Sequence, residues 1–249
     1  MLFKRKKKVD AIVIAAGKGK RMGSELPKTL HLVGGKPMIR HVVDCLKEVG
    51  VKDPVIVVST ESEPIRSTLG KMRYAVQTEQ LGTADATRSA RKHMEGKAVD
   101  TVVMYGDTPL FTPTTIKELV TQHDAAGAAI SLVSADMADP TNYGRIVRNK
   151  NNFVERIVEE KDASPEQKQI TEVNAGCYCF DNDWLWKNID LVTSNNAAGE
   201  FYLTDMIDIA VRQGEKVIAV KIDRPHEITG VNTPTELMKA DTLYKQKRS

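Results

Sequence analysis

An almost uninterrupted apolar run over residues 9–15 is followed at once by a loop rich in glycine and positive charge. A run this short and continuous is typical of a strand that is buried on both faces, as in a parallel sheet covered by helices. It falls short of the ~18 apolar residues of a membrane helix, and no signal-peptide cleavage site follows it. The run therefore predicts a central strand of an α/β domain.

Short apolar runs and segments of helical spacing alternate along most of the chain. Further strands are predicted at residues 54–59, 101–105, 129–134 and 217–222, and helices at 37–49, 83–94, 114–126, 204–212 and 233–246. Thr83 is of a residue type that favours the N-cap of its helix. Such alternation favours a mostly parallel sheet flanked by helices, and ligands bind these sheets at the carboxyl ends of the strands.

Residues 143–180 depart from this alternation. Short apolar runs at residues 146–147, 153–154, 157–158 and 173–180 are separated by polar turns, which predicts a β-rich lobe over the sheet. We therefore expect three parts: a basic N-terminal tail over residues 1–8, a main domain over 9–232 that includes the lobe, and a C-terminal helix over 233–249.

Charge and cysteine content restrict the class of protein. The formal net charge is only +3, and much of the positive charge lies in the run of Lys4, Arg5, Lys6, Lys7 and Lys8. A solvated tail explains this run; an anchor to an anionic surface is the alternative, but no amphipathic helix accompanies the run. Because the net charge is small and no apolar run is long enough to span a membrane, we expect neither nucleic-acid binding nor membrane insertion. The three cysteines, Cys45, Cys177 and Cys179, have no framework spacing, which indicates reduced thiols and a cytoplasmic location.

The loop after the first strand carries the strongest local signal. It reads Ala15-Ala16-Gly17-Lys18-Gly19-Lys20-Arg21-Met22-Gly23. Glycines let backbone N–H groups approach a ligand, and the cationic side chains suit a multiply charged anion such as a triphosphate. An exposed basic turn is the alternative interpretation of the loop taken alone.

Two other phosphate-binding motifs do not fit this loop. A Walker loop ends in Gly-Lys-Ser/Thr, but Gly23-Ser24 lacks the lysine. A dinucleotide fingerprint has the spacing G-x-G-x-x-G, whereas Gly17, Gly19 and Gly23 are one residue too widely spaced. An NAD-dependent oxidoreductase is therefore disfavoured.

A resemblance to a known family rests on an ordered set of motifs. Ala15-Ala16-Gly17-Lys18-Gly19-x-Arg21-Met22 and Leu26-Pro27-Lys28 resemble the sugar-phosphate nucleotidyltransferases. Later segments resemble the uridylyltransferase domain of bacterial N-acetylglucosamine-1-phosphate uridylyltransferases: Gln77-x-Glu79-Gln80-Leu81-Gly82-Thr83, Tyr105-Gly106-Asp107, Tyr143-Gly144-Arg145-Ile146, Val158-Glu159-Glu160-Lys161, Glu172-Val173-Asn174-x-Gly176, Gly199-Glu200-Phe201-Tyr202-Leu203-Thr204 and Gly230-Val231-Asn232. The resemblance covers roughly residues 9–245. It implies a Rossmann-like sheet with a β-rich sugar-binding lobe, of the nucleotide-diphospho-sugar transferase type.

The resemblance also implies a reaction and its site. UTP and N-acetylglucosamine 1-phosphate would give UDP-N-acetylglucosamine and pyrophosphate, with Mg²⁺ as cofactor. The catalytic residues would be Arg21 and Lys28, and the metal ligands Asp107 and Asn232. Nucleotide-binding residues would be Ala15, Ala16, Gly17, Gly19, Gln77, Gly82 and Thr83, and sugar-binding residues Tyr105, Gly106, Gly144, Glu159, Asn174, Tyr202 and Thr204.

The Gln77 amide offers a donor and an acceptor that match uracil, but because the amide can rotate, Gln77 alone does not exclude cytosine. Structural roles are the alternatives: a loop and an N-cap for Gly82 and Thr83, and strand-edge polarity for the sugar-binding set. Other sugar or alditol phosphates, and a non-catalytic sugar-nucleotide sensor, are alternative functions.

Four positions depart from the usual family pattern: Lys20 replaces threonine, Asp85 histidine, Ala175 threonine and Phe201 tyrosine. The last three bear on the choice of sugar. No hexapeptide repeats follow the final predicted helix. We therefore expect a monomer without acetyl-transfer activity.

Overall fold

A computed structural model describes residues 8–246. Residues 1–7 of the predicted basic tail and residues 247–249 lie outside the described residues. The strands are β1 (Val9–Ile14), β2 (Leu32–Val33), β3 (Lys36–Pro37), β4 (Val55–Ser59), β5 (Arg73–Gln77), β6 (Asp100–Tyr105), β7 (Ile130–Asp136), β8 (Arg145–Arg148), β9 (Val154–Val158), β10 (Glu172–Asp181) and β11 (Val217–Lys221). The α-helices are α1 (Met38–Glu48), α2 (Glu63–Leu69), α3 (Thr83–Ser89), α4 (Arg91–Met94), α5 (Pro113–Ala126), α6 (Pro165–Lys168), α7 (Asn182–Asn188), α8 (Asp205–Arg212) and α9 (Pro234–Gln246).

One large sheet organises the molecule. Within residues 8–246, its main path runs in the order β11-β7-β10-β6-β1-β4-β5. β1 pairs in parallel with β4 and β6, β4 with β5, and β11 with β7. β10 is antiparallel to both of its neighbours, β6 and β7. A mostly parallel sheet flanked by helices confirms the predicted fold class.

The core lies on both faces of this sheet. Along β1, Ile12 packs into the apolar layer on one face, whereas Ala11 and Val13 pack into the layer on the other. Successive side chains of a strand point to opposite faces, so a strand covered on both sides is apolar at most positions. The exception in β1 is the buried Asp10, which pairs with Arg73 at 2.6 Å. This arrangement explains the almost uninterrupted apolar run over residues 9–15.

The predicted strands of the main sheet and the predicted helices begin and end within two residues of the observed ones, with one exception. The helix predicted over residues 83–94 is divided at Ala90 into α3 and α4. The N-cap prediction for Thr83 is wrong, because Gly82 takes that place with φ 123°. The Thr83 hydroxyl instead accepts a hydrogen bond from the Leu203 backbone N–H at 2.8 Å.

Strand β10 links the main sheet to the β-rich region. β8 and β9 form an antiparallel pair, and β8 joins β10 through the partners Arg145 and Val173. The two runs predicted at residues 153–154 and 157–158 form one strand, β9, which begins at Val154 and leaves Phe153 just before it. No helix among residues 8–246 combines the length and hydropathy needed to cross a membrane.

Candidate active site

A cleft of about 360 Å³ lies at the carboxyl ends of β1 and β6, beside the β8–β9 pair. The predicted site residues that line it are Ala15, Gly17, Arg21, Lys28, Thr83, Tyr105, Asp107, Gly144, Glu159, Asn174, Tyr202 and Asn232. Six further nominated residues are not among the lining residues: Ala16, Gly19, Gln77, Gly82, Gly106 and Thr204. Lining residues that were not nominated include Thr29, Thr108, Asn142, Tyr143, Ala175, Gly176, Glu200 and Gly230.

The loop after β1 is shaped by its glycines. Gly19 and Gly23 have φ values of 60° and 62° and flank a short 3₁₀ turn, Lys20–Met22. A Cβ on Gly19 would lie 2.8 Å from the Cβ of Lys28, so glycine allows the loop to approach that lysine. Met22 is buried while the neighbouring Arg21 is exposed. The loop therefore anchors itself through Met22 and leaves the Arg21 guanidinium at the cleft.

Lys28, Asp107 and Asn232 form one polar cluster, although they are far apart in the sequence. The Lys28 ammonium contacts the Asp107 carboxylate and donates to Asn232 Oδ1 at 2.8 Å. The Val231 backbone N–H donates to the Asp107 carbonyl at 3.0 Å, which ties the two loops together. A carboxylate oxygen and an amide oxygen thus converge on a single positive charge.

This oxygen pair also suits a divalent cation. Hard cations prefer carboxylate and carbonyl oxygens, and Mg²⁺ is commonly held by one or two protein ligands together with substrate phosphates and water. A metal ion held by protein ligands alone would require a cluster of at least three His, Cys, Asp or Glu side chains. Residues 8–246 contain no such cluster. The donor set of Asp107 and Asn232 fits an ion that is completed by a phosphate ligand.

Near the same rim, the Gln77 side chain lies at the end of β5 and is only 4% exposed. Its Nε2 donates to Asp85 Oδ2 at 2.7 Å and to the Gly82 carbonyl at 3.1 Å. Gln80 Nε2 donates to the Ala16 carbonyl at 2.9 Å, which joins this loop to the glycine loop after β1. The segment around Gln77 is therefore held beside the cleft rather than within its lining.

Gly82 packs against the irregular segment around Phe201 that precedes α8. A Cβ on Gly82 would lie 2.5 Å from the Phe201 carbonyl oxygen and 2.7 Å from its backbone nitrogen. The Phe201 N–H donates to the Leu81 carbonyl at 2.7 Å, and the Ala84 N–H donates to the Phe201 carbonyl at 2.9 Å. Only glycine permits this close backbone contact.

Glu159 lines the cleft immediately after the end of β9. Thr204 Oγ1 donates to Glu159 Oε1 at 2.9 Å, so Thr204 supports Glu159 from behind. Burial raises the pKa of Glu159, and the nearby acidic side chains add to this, while the Thr204 hydrogen bond lowers it. A Cβ on Gly144 would lie 3.3 Å from a Glu159 carboxylate oxygen and 2.8 Å from the Ile157 side chain. Glycine at 144 therefore leaves room beside the carboxylate.

Asn174 is held at the register shift of β10. Its Nδ2 donates to the Tyr178 hydroxyl at 2.6 Å, and its Oδ1 accepts from the Gly176 N–H at 3.1 Å. Gly176 has φ 70°, and a Cβ there would lie 2.6 Å from the Tyr105 ring. Burial raises the pKa of Tyr105 well above its usual range, so Tyr105 carries a neutral hydroxyl at this end of the cleft.

Comparison with known proteins identifies the class. Residues 10–225 match the model of the nucleotidyl transferase family, and the chain belongs to that family. Among curated proteins, it is 46% identical over 238 residues to the bifunctional protein GlmU of Halalkalibacterium halodurans, covering 95% of this chain and 52% of the relative. The bifunctional protein GlmU of Bacillus subtilis is 42% identical over 238 residues, with the same coverage of 95% and 52%. The chain thus spans about half the length of these relatives.

A solved structure extends the comparison to the fold. A Bacillus anthracis protein, provisionally assigned as a glucose-1-phosphate thymidylyltransferase and crystallised with sucrose, superimposes with a TM-score of 0.77. The alignment covers 94% of each chain at 23% sequence identity. At this identity the comparison shows a shared fold.

Proposed function

We propose that the chain transfers the uridylyl group of UTP to N-acetylglucosamine 1-phosphate and releases pyrophosphate. The observation that carries this proposal is the cluster of Lys28, Asp107 and Asn232, which lies in the same cleft as the sugar-side carboxylate Glu159. The likeness to the GlmU relatives supports the same substrates.

In this reaction a phosphate oxygen of the sugar phosphate forms a bond to the α-phosphorus of UTP. The bond from the α-phosphorus to the α–β bridging oxygen breaks, and its electron pair leaves with pyrophosphate. Both reactants are anions, so catalysis consists mainly of alignment and charge neutralisation. Arg21 and Lys28, both at the cleft, would provide the positive charge.

The proposed cofactor is Mg²⁺, held by Asp107 and Asn232. When bound, the ion would neutralise negative charge on the phosphate oxygens. Because the Lys28 ammonium contacts the same two oxygens, Lys28 and a divalent cation compete for them. Lys28 lies against Gly19 of the glycine loop, so once released from Asp107 and Asn232 its ammonium would bind the triphosphate.

The nucleotide would bind along the loop after β1. Backbone N–H groups of Ala16, Gly17 and Gly19 are proposed to face the phosphates. Ala15 donates its N–H to the Val57 carbonyl at 2.8 Å and would border the nucleotide without donating to it. Gln77, Gly82 and Thr83 would lie toward the base. The sugar would bind at the Glu159 end, where the carboxylate accepts hydrogen bonds from hydroxyls. Tyr105, Gly106, Gly144, Asn174, Tyr202 and Thr204 complete the proposed sugar end.

A pyrophosphate-release assay tests the proposal. It pairs UTP, CTP, ATP and GTP with a panel of sugar 1-phosphates and an alditol phosphate, at several magnesium concentrations. We expect the highest kcat/KM with UTP and N-acetylglucosamine 1-phosphate. Asp107→Asn is the matched control, since it keeps the shape of the side chain but weakens cation binding, and it should lower turnover by orders of magnitude. Binding of the sugar nucleotide without any pyrophosphate release would instead indicate a sensor.

A further inference from the structure

We propose that Asp85 is a positioning residue that fixes the orientation of the Gln77 amide and thereby selects uracil against cytosine. The inference rests on the proposed function, in which Gln77 faces the nucleobase. It deepens that function by naming the side chain that turns an ambiguous amide into a directional one.

The orientation of the Gln77 amide follows from its two partners. Asp85 Oδ2 lies 2.7 Å and the Gly82 carbonyl oxygen 3.1 Å from Gln77 Nε2. A carboxylate and a backbone carbonyl can only accept hydrogen bonds, so the NH₂ group of Gln77 must face both of them. Rotating the amide by half a turn would place Oε1 against two oxygens in a buried position, at the loss of both hydrogen bonds.

Asp85 is itself held in place. It lies in the first turn of α3, on the same helix as Arg88. The Arg88 guanidinium is 3.9 Å from the Asp85 carboxylate and lies over the Phe201 ring at 5.3 Å. Arg88 also pairs with Asp190 at 3.0 Å. The carboxylate that orients Gln77 therefore belongs to a cluster with Arg88, Phe201 and Asp190.

With its NH₂ group turned toward Asp85 and Gly82, Gln77 retains Oε1 as the atom that can serve a ligand. Uracil presents an N3–H donor to such an acceptor. In the same pose, cytosine presents the N3 lone pair to Oε1, and an amino group replaces O4. An acceptor facing an acceptor is unfavourable, and a freely rotating amide would avoid it. The fixed amide therefore discriminates against cytosine, whereas thymine has the same N3–H.

The test compares UTP and CTP in the wild type, Asp85→Asn and Asp85→Ala, by calorimetric binding and by pyrophosphate release. Asparagine can donate to Gln77 Oε1, so rotation of both amides then costs the hydrogen bond to the Gly82 carbonyl but no longer the one to residue 85. In both variants, the UTP-to-CTP ratios of affinity and of kcat/KM should fall roughly tenfold or more. This is the size expected when one buried hydrogen bond that fixes the amide is lost. Thermal unfolding verifies that each variant is folded.

Asp190→Asn is the matched control. It removes a carboxylate from the other side of Arg88 and has no contact with Gln77. Its UTP-to-CTP ratio should equal that of the wild type. An unchanged ratio in Asp85→Asn and Asp85→Ala, with turnover intact, overturns the inference and leaves the proposed function standing. A wild type that binds UTP but releases no pyrophosphate contradicts the proposed function, and the affinity ratios then still decide the role of Asp85.

Discussion

Gly82→Ala should disrupt the junction between the proposed base-binding and sugar-binding segments. Gly82 has φ 123° and ψ −179°, a conformation that is essentially restricted to glycine. The added methyl would lie 2.5 Å from the Phe201 carbonyl oxygen. Since this obstacle is backbone, no side-chain rotation relieves the overlap, and the two segments must move apart.

The magnitude follows from the groups involved. Forcing alanine into this backbone region costs about 1–3 kcal/mol. Separating the segments removes the two hydrogen bonds of Phe201, to Leu81 and from Ala84, at about 1 kcal/mol each. Together these terms predict a loss of roughly 3–5 kcal/mol in the free energy of unfolding. For a chain of this size, that corresponds to a fall in Tm of roughly 10 °C.

Gly70→Ala is the matched control. Gly70 also has a positive φ, 72° with ψ −142°, but no atom lies within 4 Å of its added Cβ. It should lose the backbone term alone, about 1–3 kcal/mol. Chemical denaturation of both variants measures the difference, and the KM values for UTP and the sugar phosphate should both rise in Gly82→Ala only. Equal destabilisation of the two variants would refute the close contact with Phe201.

Three further changes probe the charged groups. Arg21→Ala should lower kcat by about 10²–10³ with little effect on UTP binding, because charge on the leaving pyrophosphate grows only in the transition state. Steady-state kinetics that show weaker UTP binding with a nearly normal kcat would contradict this. Lys28→Met should tighten Mg²⁺ binding to the nucleotide-free protein, since the ammonium no longer contacts Asp107 and Asn232; calorimetric titration showing weaker or equal binding would contradict competition. Burial, followed by neighbouring carboxylates, raises the pKa of Asp205 from 3.8 to about 6, so its ionisation destabilises the fold as pH rises from about 4 to 6. Above pH 6, Asp205→Asn should therefore be more stable than the wild type by about 1 kcal/mol after solvent screening. Thermal unfolding of both proteins across this pH range checks the prediction, and equal pH profiles would contradict it.

The elements that the sequence predicts well are those whose apolar pattern has a single interpretation. β1 and β6 are buried on both faces, so each contains a run of four apolar residues, 11–14 in β1 and 102–105 in β6. β5 was not predicted, because it lies at the end of the sheet path and its sequence mixes Arg73, Tyr74 and Gln77 with apolar residues. The break at Ala90 was also missed, since alanine is a strong helix former and gives no local stop signal.

The site shows a similar division. The glycine loop is contiguous in sequence, so its residue types indicate anion binding directly. The contact of Lys28 with Asn232 joins residues 204 positions apart and depends on the whole sheet and on α9. The contact of Gln77 with Asp85 depends on how residues 78–82 fold back, and no periodicity in the sequence reports such a path. Residue types therefore suggest chemistry, while long-range packing decides the partners.

Because β10 runs antiparallel to its neighbours, the proposed sugar-binding and phosphate-binding residues are carried by different parts of the sheet. Because β10 runs against β6, its amino-terminal part reaches the rim where the parallel strands end, and Asn174 arrives beside Tyr105 from the opposite direction. The β8–β9 pair joins β10 next to Asn174, through the partners Val173 and Arg145 and the ion pair between Arg148 and Glu172. An exchange of residues 144–159 between relatives would include Gly144 and Glu159 of the proposed sugar end, while the loops that carry Lys28 and Asp107 keep their supports. In the proposed function, such an exchange should change the sugar preference and leave the triphosphate-binding loop unchanged.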